Sequence, residues 1–354
     1  MDMTNNGVGS PTQIADVPVV DTQAEDIYDV TIIGAGPTGL FGAFYSGMRE
    51  LRTKIIDALS EPGGQLIALY PEKYIFDAPG YPEIIAKDLV TQLVAQAMRW
   101  NPTMILGERV LQLTHREDGI IVLGTDKGTH LTRTVVIAAG VGAFEPTRLK
   151  APGVDDLEGN GVHYFVKQKA VFKDKNLLIV GGGDSAVDWA LNLQDTARHI
   201  TLIHRRNEFR AHESTVNQMM ASPAEKLEVL TPWEVRSVHG GNSVEHVVLF
   251  HNGSQEERSI PVDAVLLNLG FKADIGPIKE WGLKLDKRTI LINERTETNL
   301  PGVYAAGDIA AEAVKMNLIA TCYGQAALAV NVAKNYIDPR SSIFPGPSSE
   351  KMDR

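Results

Sequence analysis

Two stretches of the chain repeat one pattern of apolar and polar positions. Tyr28-Asp29-Val30-Thr31-Ile32-Ile33 is a short β-branched run of the kind that buries as a parallel strand. It leads straight into Gly34-Ala35-Gly36-Pro37-Thr38-Gly39, then into Leu40-Phe41-Gly42-Ala43-Phe44-Tyr45, where the apolar residues take helical spacing. A second strand, Lys54-Ile55-Ile56-Asp57, ends on an acid. The same order returns later. Asn176–Val180 reads as a strand, Gly181-Gly182-Gly183-Asp184-Ser185-Ala186 as a glycine turn, and Ala186, Trp189, Ala190 and Leu193 line one face of a helix. A second strand, Ile200-Thr201-Leu202-Ile203-His204, follows. The first turn glycine and the residue closing the second strand lie 23 positions apart in both copies, and the copies are offset by 147 residues. The pattern predicts an α/β chain with two Rossmann-like dinucleotide-binding domains.

Each glycine of such a turn has its own task. The first (Gly34, Gly181) permits the tight turn. The second (Gly36, Gly183) lets the backbone approach a pyrophosphate. The third (Gly39, with Ala186 in its place in the second copy) lets helix pack on strand. Pro37 and Thr38, and Asp184 and Ser185, complete the two turns, at helix N-termini whose N–H groups and dipole suit an anion. The plain alternative is a pair of ordinary βαβ units with no ligand. Asp57 stands where a carboxylate accepts hydrogen bonds from an adenosine ribose and repels a 2′-phosphate, so FAD and NAD(H) both fit the first copy. His204-Arg205-Arg206, with Arg210 four residues on, closes the second copy with guanidiniums instead of an acid. Those residues favour the 2′-phosphate of NADP(H), against the alternative of a solvated basic cluster. Val135–Gly140 and Gly302–Asp308 read as two further strands running into turns. The second turn offers Asp308 to ribityl hydroxyls, or is mere strand-to-turn punctuation.

Composition narrows the picture. A chain of 354 residues with 44% hydrophobic and 22% charged residues is long enough for about two domains. A net charge of −10 disfavours duplex nucleic acid and anionic membrane as partners. The one cysteine, Cys322, excludes an internal disulfide framework, a thiolate zinc cluster and a Cys-x-x-Cys redox pair. The histidines show no metal-binding spacing, and no apolar run reaches the length of a membrane span. Residues 1–26 carry no secretory pattern and are expected to form a flexible arm. The expectation is a cytoplasmic enzyme without a metal site.

The two glycine motifs, the run Ile203–Ala211 and Tyr304-Ala305-Ala306-Gly307-Asp308 resemble the thioredoxin reductase group of pyridine-nucleotide flavoproteins, from about Tyr28 onward. Members of that group carry a redox Cys-x-x-Cys before the second nucleotide-binding strand. Here the matching positions are Phe165 and Gln168, so an internal dithiol relay is excluded. Gly63–Tyr74, Gly140–Pro146 and Gly181–Trp189 are more similar to ferredoxin–NADP+ reductases of the thioredoxin-reductase-like type. That resemblance implies FAD contacts at Asp57, Gly64, Gln65, Tyr70, Val110, Phe144 and Asp308. It also implies a C-terminal extension over the flavin in which Ser349 matches a contact position and Pro347 stands where a ring would stack, with Phe344 three residues earlier.

The resemblance further implies an NADPH domain (149–287) inserted into an FAD domain (27–148 and 288–340), a tail (341–354) near the flavin, and a homodimer. The connections at Glu145–Pro152 and Phe271–Pro277 would act as hinges. The implied activity is electron transfer between NADPH, which gives two electrons as hydride, and ferredoxin or flavodoxin, which takes one at a time. The flavin carries that chemistry, so no catalytic side chain is named. A helix starting near Gly324 would aim its N-terminus at the flavin ring, and Lys73, Lys167, Lys169, Lys173 and Lys175 are candidates for a partner face. The rival readings are another cysteine-free NADPH flavin reductase (oxidase, diaphorase or small-disulfide reductase) and an FAD/NADPH sensor without turnover.

Overall fold

The computed structural model of the chain describes residues 26–311 and 316–346. Apart from Asp26, the expected N-terminal arm lies outside them, as do Pro347 and Ser349. In chain order, β1 (Ile27–Ile33), α1 (Pro37–Met48) and β2 (Thr53–Asp57) come first. They are followed by α2 (Ala86–Met98), β3 (Thr103–Leu106), β4 (Val110–His115), β5 (Ile121–Thr125) and β6 (Thr129–Ile137). The middle of the chain supplies β7 (Asn176–Val180), α3 (Asp184–Asn192), β8 (His199–Ile203), β9 (Leu227–Leu230) and β10 (Ala264–Leu267). Its end supplies β11 (Val303–Ala305) and α4 (Ile319–Ile337).

Two compact units result. Among the described residues, the first comprises 26–64, 88–140, 277–311 and 316–346; the second comprises 65–87 and 141–276. The long middle segment is therefore inserted between two parts of the first unit. The short segment 65–87, with its helix Gln65–Leu69 and the strand pair Tyr74–Ile75 and Ile84–Ile85, groups with the second unit rather than with the residues beside it in sequence.

In the first unit the sheet order is β3-β2-β1-β6-β5-β4. The strands β3, β2, β1 and β6 are parallel, while β6, β5 and β4 form an antiparallel meander. The far half of β6 pairs in parallel with β11, so the last part of the chain returns to this sheet. Val30, Ile32, Ile55 and Ile56 are wholly buried, which accounts for the unbroken apolar runs.

In the second unit the parallel order is Val162–His163, β10, β7, β8, β9. Alternate residues of β7 enter different cores. Leu177 and Ile179 pack with Ala186, Val187 and Ala190 of α3. Leu178 and Val180 pack with Val235, Val247 and Leu249. These last residues belong to an antiparallel sheet of Trp233–Gly240, Val244–His251 and Glu257–Pro261, which forms the layer opposite the helices. The two expected hinge segments pair with each other, Ala143–Pro146 running antiparallel to Phe271–Asp274. Gly142 permits their close approach: its φ is +84°, and a Cβ there would lie 2.1 Å from the Asp274 carbonyl oxygen.

Candidate functional site: two glycine cradles

Both glycine turns join a strand to a helix. In the first, Gly34 has φ +108° and a Cβ there would sit 2.4 Å from the Ala138 oxygen, so only glycine fits. A Cβ on Gly39 would meet the Gly34 oxygen at 1.8 Å, because helix and strand are in contact at that point. Gly36 differs. It caps α1 in extended backbone, Pro37 occupies the first helical position, and no side chain caps the helix. A Cβ on Gly36 would touch nothing nearer than Gly64 Cα at 3.9 Å. The second cradle repeats this division. Gly181 is pressed against the Asn268 oxygen, where a Cβ would lie at 2.5 Å. Gly183 caps α3 with no side-chain bond and opens onto space, with nothing within 4 Å of its Cβ position. An uncapped helix N-terminus behind an unobstructed glycine fits the pyrophosphate of a dinucleotide in each copy.

Around the first cradle, Asp57 at the end of β2 accepts from Ala35 N at 2.5 Å and from Leu59 N at 2.7 Å. Burial pushes its carboxyl upward, against the lowering effect of these two amides. The Gly63 amide donates to the Ala35 oxygen, which folds Gly64, with φ +56°, back onto Gly36. The Glu108 amide donates to the Asp57 oxygen at 3.0 Å and Gly107 N to Leu59 O at 2.7 Å; Val110, buried, begins the next strand. Gly307, at φ +80°, lies against Thr38, and its amide donates to Gln325 Oε1 at 2.8 Å. The turn carrying Asp308 therefore joins Gly34–Gly39, Asp57, Gly64 and Val110 in one region of the first unit.

Behind this region runs a buried chain of polar groups. Lys54, 1% exposed, donates to His130 Nδ1 at 3.1 Å, and His130 Nε2 donates to Glu108 Oε1 at 2.7 Å. The His130 ring thus bridges the Lys54 amine and the Glu108 carboxylate. Thr125 Oγ1 also donates to Glu108, at 2.5 Å. The Tyr28 ring faces the Lys54 ammonium at 4.0 Å.

Other residues expected at the flavin fall differently. Gln65 and Tyr70 lie on the segment that groups with the second unit, where Tyr70 packs against the α3 core. Phe144 pairs with Ala273 in the two-stranded ribbon. Ser349 lies outside the described residues, and Phe344 is 73% exposed. The expected helix start near Gly324 is corrected: α4 begins at Ile319 with Leu318 as its cap, and Gly324 sits in its second turn. The first turn closes ahead of the glycine, where the Cys322 amide donates to the Leu318 oxygen at 3.1 Å. Of the lysines, Lys73 is paired with Asp188 at 2.5 Å.

The second cradle opens into a cavity of about 430 Å³ within the second unit. Gly181, Gly183, Asp184, Ser185, His204, Arg205 and Arg210 line it, together with Trp233, Asn268 and Phe271; Arg206 and Ala186 are not among its lining residues. Ala186 is buried under the helix, as its packing role requires. His204 acts as a wedge. Its ring covers Gly182, where a Cβ would be 2.3 Å away, lies tilted beside Phe209 with centroids 5.3 Å apart, and donates from Nε2 to the Glu208 oxygen at 3.1 Å. Burial pulls this imidazole down; the adjoining guanidiniums add to the effect, while the Glu208 carbonyl opposes it. His204 is thus a neutral wall, and Arg148, Arg205 and Arg210 supply the cationic side of the cavity. The Arg210 amide donates to the Gly182 oxygen at 2.8 Å, which curls this loop back onto the glycine turn. Sequence reasoning missed Trp233, Asn268 and Phe271, which come from distant segments and carry no motif.

Among the described residues, no group of three or more His, Cys, Asp or Glu is placed to hold a metal, and no helix is long and apolar enough to cross a membrane.

Residues 28–327 match the family described as pyridine nucleotide-disulphide oxidoreductase. A Thermus thermophilus protein named Ferredoxin–NADP reductase is 53% identical over 330 residues, covering 93% of this chain and 98% of that protein. A Symbiobacterium thermophilum protein of the same name is 50% identical over 335 residues, covering 93% and 99%. Among solved structures, Lactococcus lactis thioredoxin reductase aligns with TM-score 0.73 at 25% identity over 88% of this chain and 99% of that one. The T. acidophilum thioredoxin reductase aligns with TM-score 0.74 at 24% identity over 90% and 100%, a likeness of fold.

Proposed function

This chain belongs to the pyridine nucleotide-disulphide oxidoreductase family, and from that premise we propose that it is an FAD-dependent ferredoxin–NADP+ reductase. The observation that carries the reading is the pair of cradles in a chain with a single cysteine. Cys322 is buried on α4 and no second cysteine exists to form a dithiol. Electrons entering from a nicotinamide therefore leave through a carrier outside the chain. Relatives at about half identity over nearly their whole length bear the name of such a reductase.

The first cradle takes FAD. Asp57 would hold the adenosine ribose, the α1 N-terminus behind Gly36 the pyrophosphate, and Asp308 the ribityl chain. Gln65, Tyr70, Val110, Phe144 and Ser349 are assigned to the same cofactor by resemblance. The second cradle takes NADP(H), with the pyrophosphate at Gly183–Ser185 and the 2′-phosphate at Arg205 and Arg210. FAD, when bound, supplies the conversion between two-electron and one-electron transfer. The chain binds, orients and shields; it needs no nucleophile or general acid for this chemistry. We assign ferredoxin as the acceptor, with flavodoxin as its chemical substitute, in a cytoplasmic homodimer whose 149–287 domain binds NADP(H) and whose 27–148 and 288–340 segments bind FAD.

An anaerobic titration tests the proposal. NADPH is expected to bleach the flavin absorbance, NADH to do so far less well, and oxidised ferredoxin to restore it. A flavin that NADPH leaves unbleached, or a bleached flavin that ferredoxin cannot reoxidise, overturns it.

A further inference from the structure

The turn that follows β8 is held from outside its own motif. The Trp233 amide donates to the His204 carbonyl at 3.0 Å. The next carbonyl along, that of Arg205, accepts from Asn252 Nδ2 at 2.9 Å. Both donors belong to the antiparallel sheet or to its hairpin end. Asn252 is itself fixed at both ends of its backbone: its amide donates to Pro232 O at 2.9 Å, and its carbonyl accepts from Gln255 Nε2 at 3.1 Å. The preceding residue, His251, stands edge-on to the Trp233 ring with centroids 5.3 Å apart, and Trp233 lines the cavity. One end of this sheet thus grips two successive carbonyls of the arginine turn and braces one cavity wall. Arg205 is otherwise a long, exposed side chain on a loop, and such a group binds a phosphate well only if its backbone is fixed beforehand.

We propose that Asn252 is a positioning residue for coenzyme selectivity: by holding the Arg205 carbonyl it fixes the turn from which Arg205 and Arg210 meet the 2′-phosphate of NADP(H). The inference rests on the assignment of NADP(H) to this cradle. It concerns only the discriminating phosphate, so loss of the Asn252 bond weakens NADPH and leaves NADH, which has no 2′-phosphate, as it was. An aspartate at this position is worse than an alanine. It cannot donate to the carbonyl, and its charge draws the guanidiniums away from the phosphate while repelling the phosphate itself.

The test is steady-state kinetics of the holoenzyme with NADPH and with NADH, using ferricyanide as acceptor so that no protein partner enters. Asn252→Ala is expected to raise KM for NADPH about threefold to tenfold, the range of one neutral hydrogen bond. Neither kcat nor the NADH parameters should change. Asn252→Asp should raise KM for NADPH further. Ser254→Ala, which disturbs the same hairpin end at His251, should keep the coenzyme ratio of the wild type. In an Arg205→Ala background, Asn252→Ala should add clearly less than it does in the wild type, because most of its effect passes through Arg205. Three results overturn the inference alone: a wild type that prefers NADPH while Asn252→Ala keeps that preference, NADPH and NADH moving together in Asn252→Ala, or fully additive effects in the double variant. A wild type indifferent between the coenzymes overturns the NADP(H) assignment, and this inference with it.

Discussion

Replacing Gly36 with alanine should weaken cofactor binding while leaving the stability of the flavin-free protein nearly unchanged. Gly36 has φ −72° and ψ −178°, a conformation any residue adopts, and its added methyl would meet only Gly64 Cα at 3.9 Å. Alanine there restricts the unfolded chain, worth about 0.4–1 kcal/mol, but caps a helix less well than glycine by a similar amount, so the flavin-free protein should stay within about 1 kcal/mol of the wild type. In the proposed binding mode the same methyl would stand where the pyrophosphate approaches the backbone. Losing one charge-assisted N–H contact costs about 1.5–3 kcal/mol, or roughly 10- to 150-fold in FAD affinity. Gly183 is the twin, with φ −102°, ψ 178° and an open Cβ position, and Gly183→Ala should weaken NADPH in the same way while leaving FAD alone. Gly39→Ala is the contrast: its Cβ would lie 1.8 Å from the Gly34 oxygen, so it should destabilise the protein with or without ligand. Urea unfolding of the flavin-free protein and flavin fluorescence titration measure the two quantities separately. The reasoning is refuted if Gly36→Ala binds FAD like the wild type, or if it destabilises the flavin-free protein as Gly39→Ala does.

Lys54 predicts a pH effect. Burial pulls its ammonium down to about 8, with Asp26 and Glu108 opposing and Arg52 assisting, whereas an unfolded lysine titrates near ~10.4. Between these values the unfolded chain binds more protons, so stability rises with pH across that window. Relative to Lys54→Met, the wild type should gain up to ~3 kcal/mol from pH 8 to about 10.4 in urea unfolding; parallel curves would count against this. Asp57→Asn keeps one acceptor where Ala35 and Leu59 need two, so FAD affinity should fall by about tenfold or more by fluorescence titration. Arg205→Ala should raise KM for NADPH by about 10- to 150-fold, the loss of a charged contact, and Arg206→Ala much less, since Arg206 does not line the cavity.

The sequence made both βαβ units legible because their signals are local. The β-branched runs, the glycine spacing and the apolar face of α3 are all fixed by neighbours within a few residues, and β7 spans the residues expected of it, Asn176–Val180. Long-range features were not legible. Nothing near Gln65 or Tyr70 signals that residues 65–87 fold with the second unit. The antiparallel sheet that backs β7 reads as ordinary alternating strands, and Asn252 as an ordinary turn residue, until its donor is seen against the Arg205 carbonyl. Two adjacent arginines look alike in sequence, yet only Arg205 lines the cavity. Gly324 looked like a helix boundary, but α4 tolerates it because the helix is packed along the first unit through buried Ala326, Ala329, Val330 and Ala333.

The most direct measurement is NADPH-driven reduction of cytochrome c by the holoenzyme, with and without added ferredoxin, in the wild type and in Cys322→Ser. The rate should depend on ferredoxin, saturate with it, and be the same in both proteins. A rate indifferent to ferredoxin, or one abolished when the single thiol is removed, would contradict a path from nicotinamide through flavin to an external carrier.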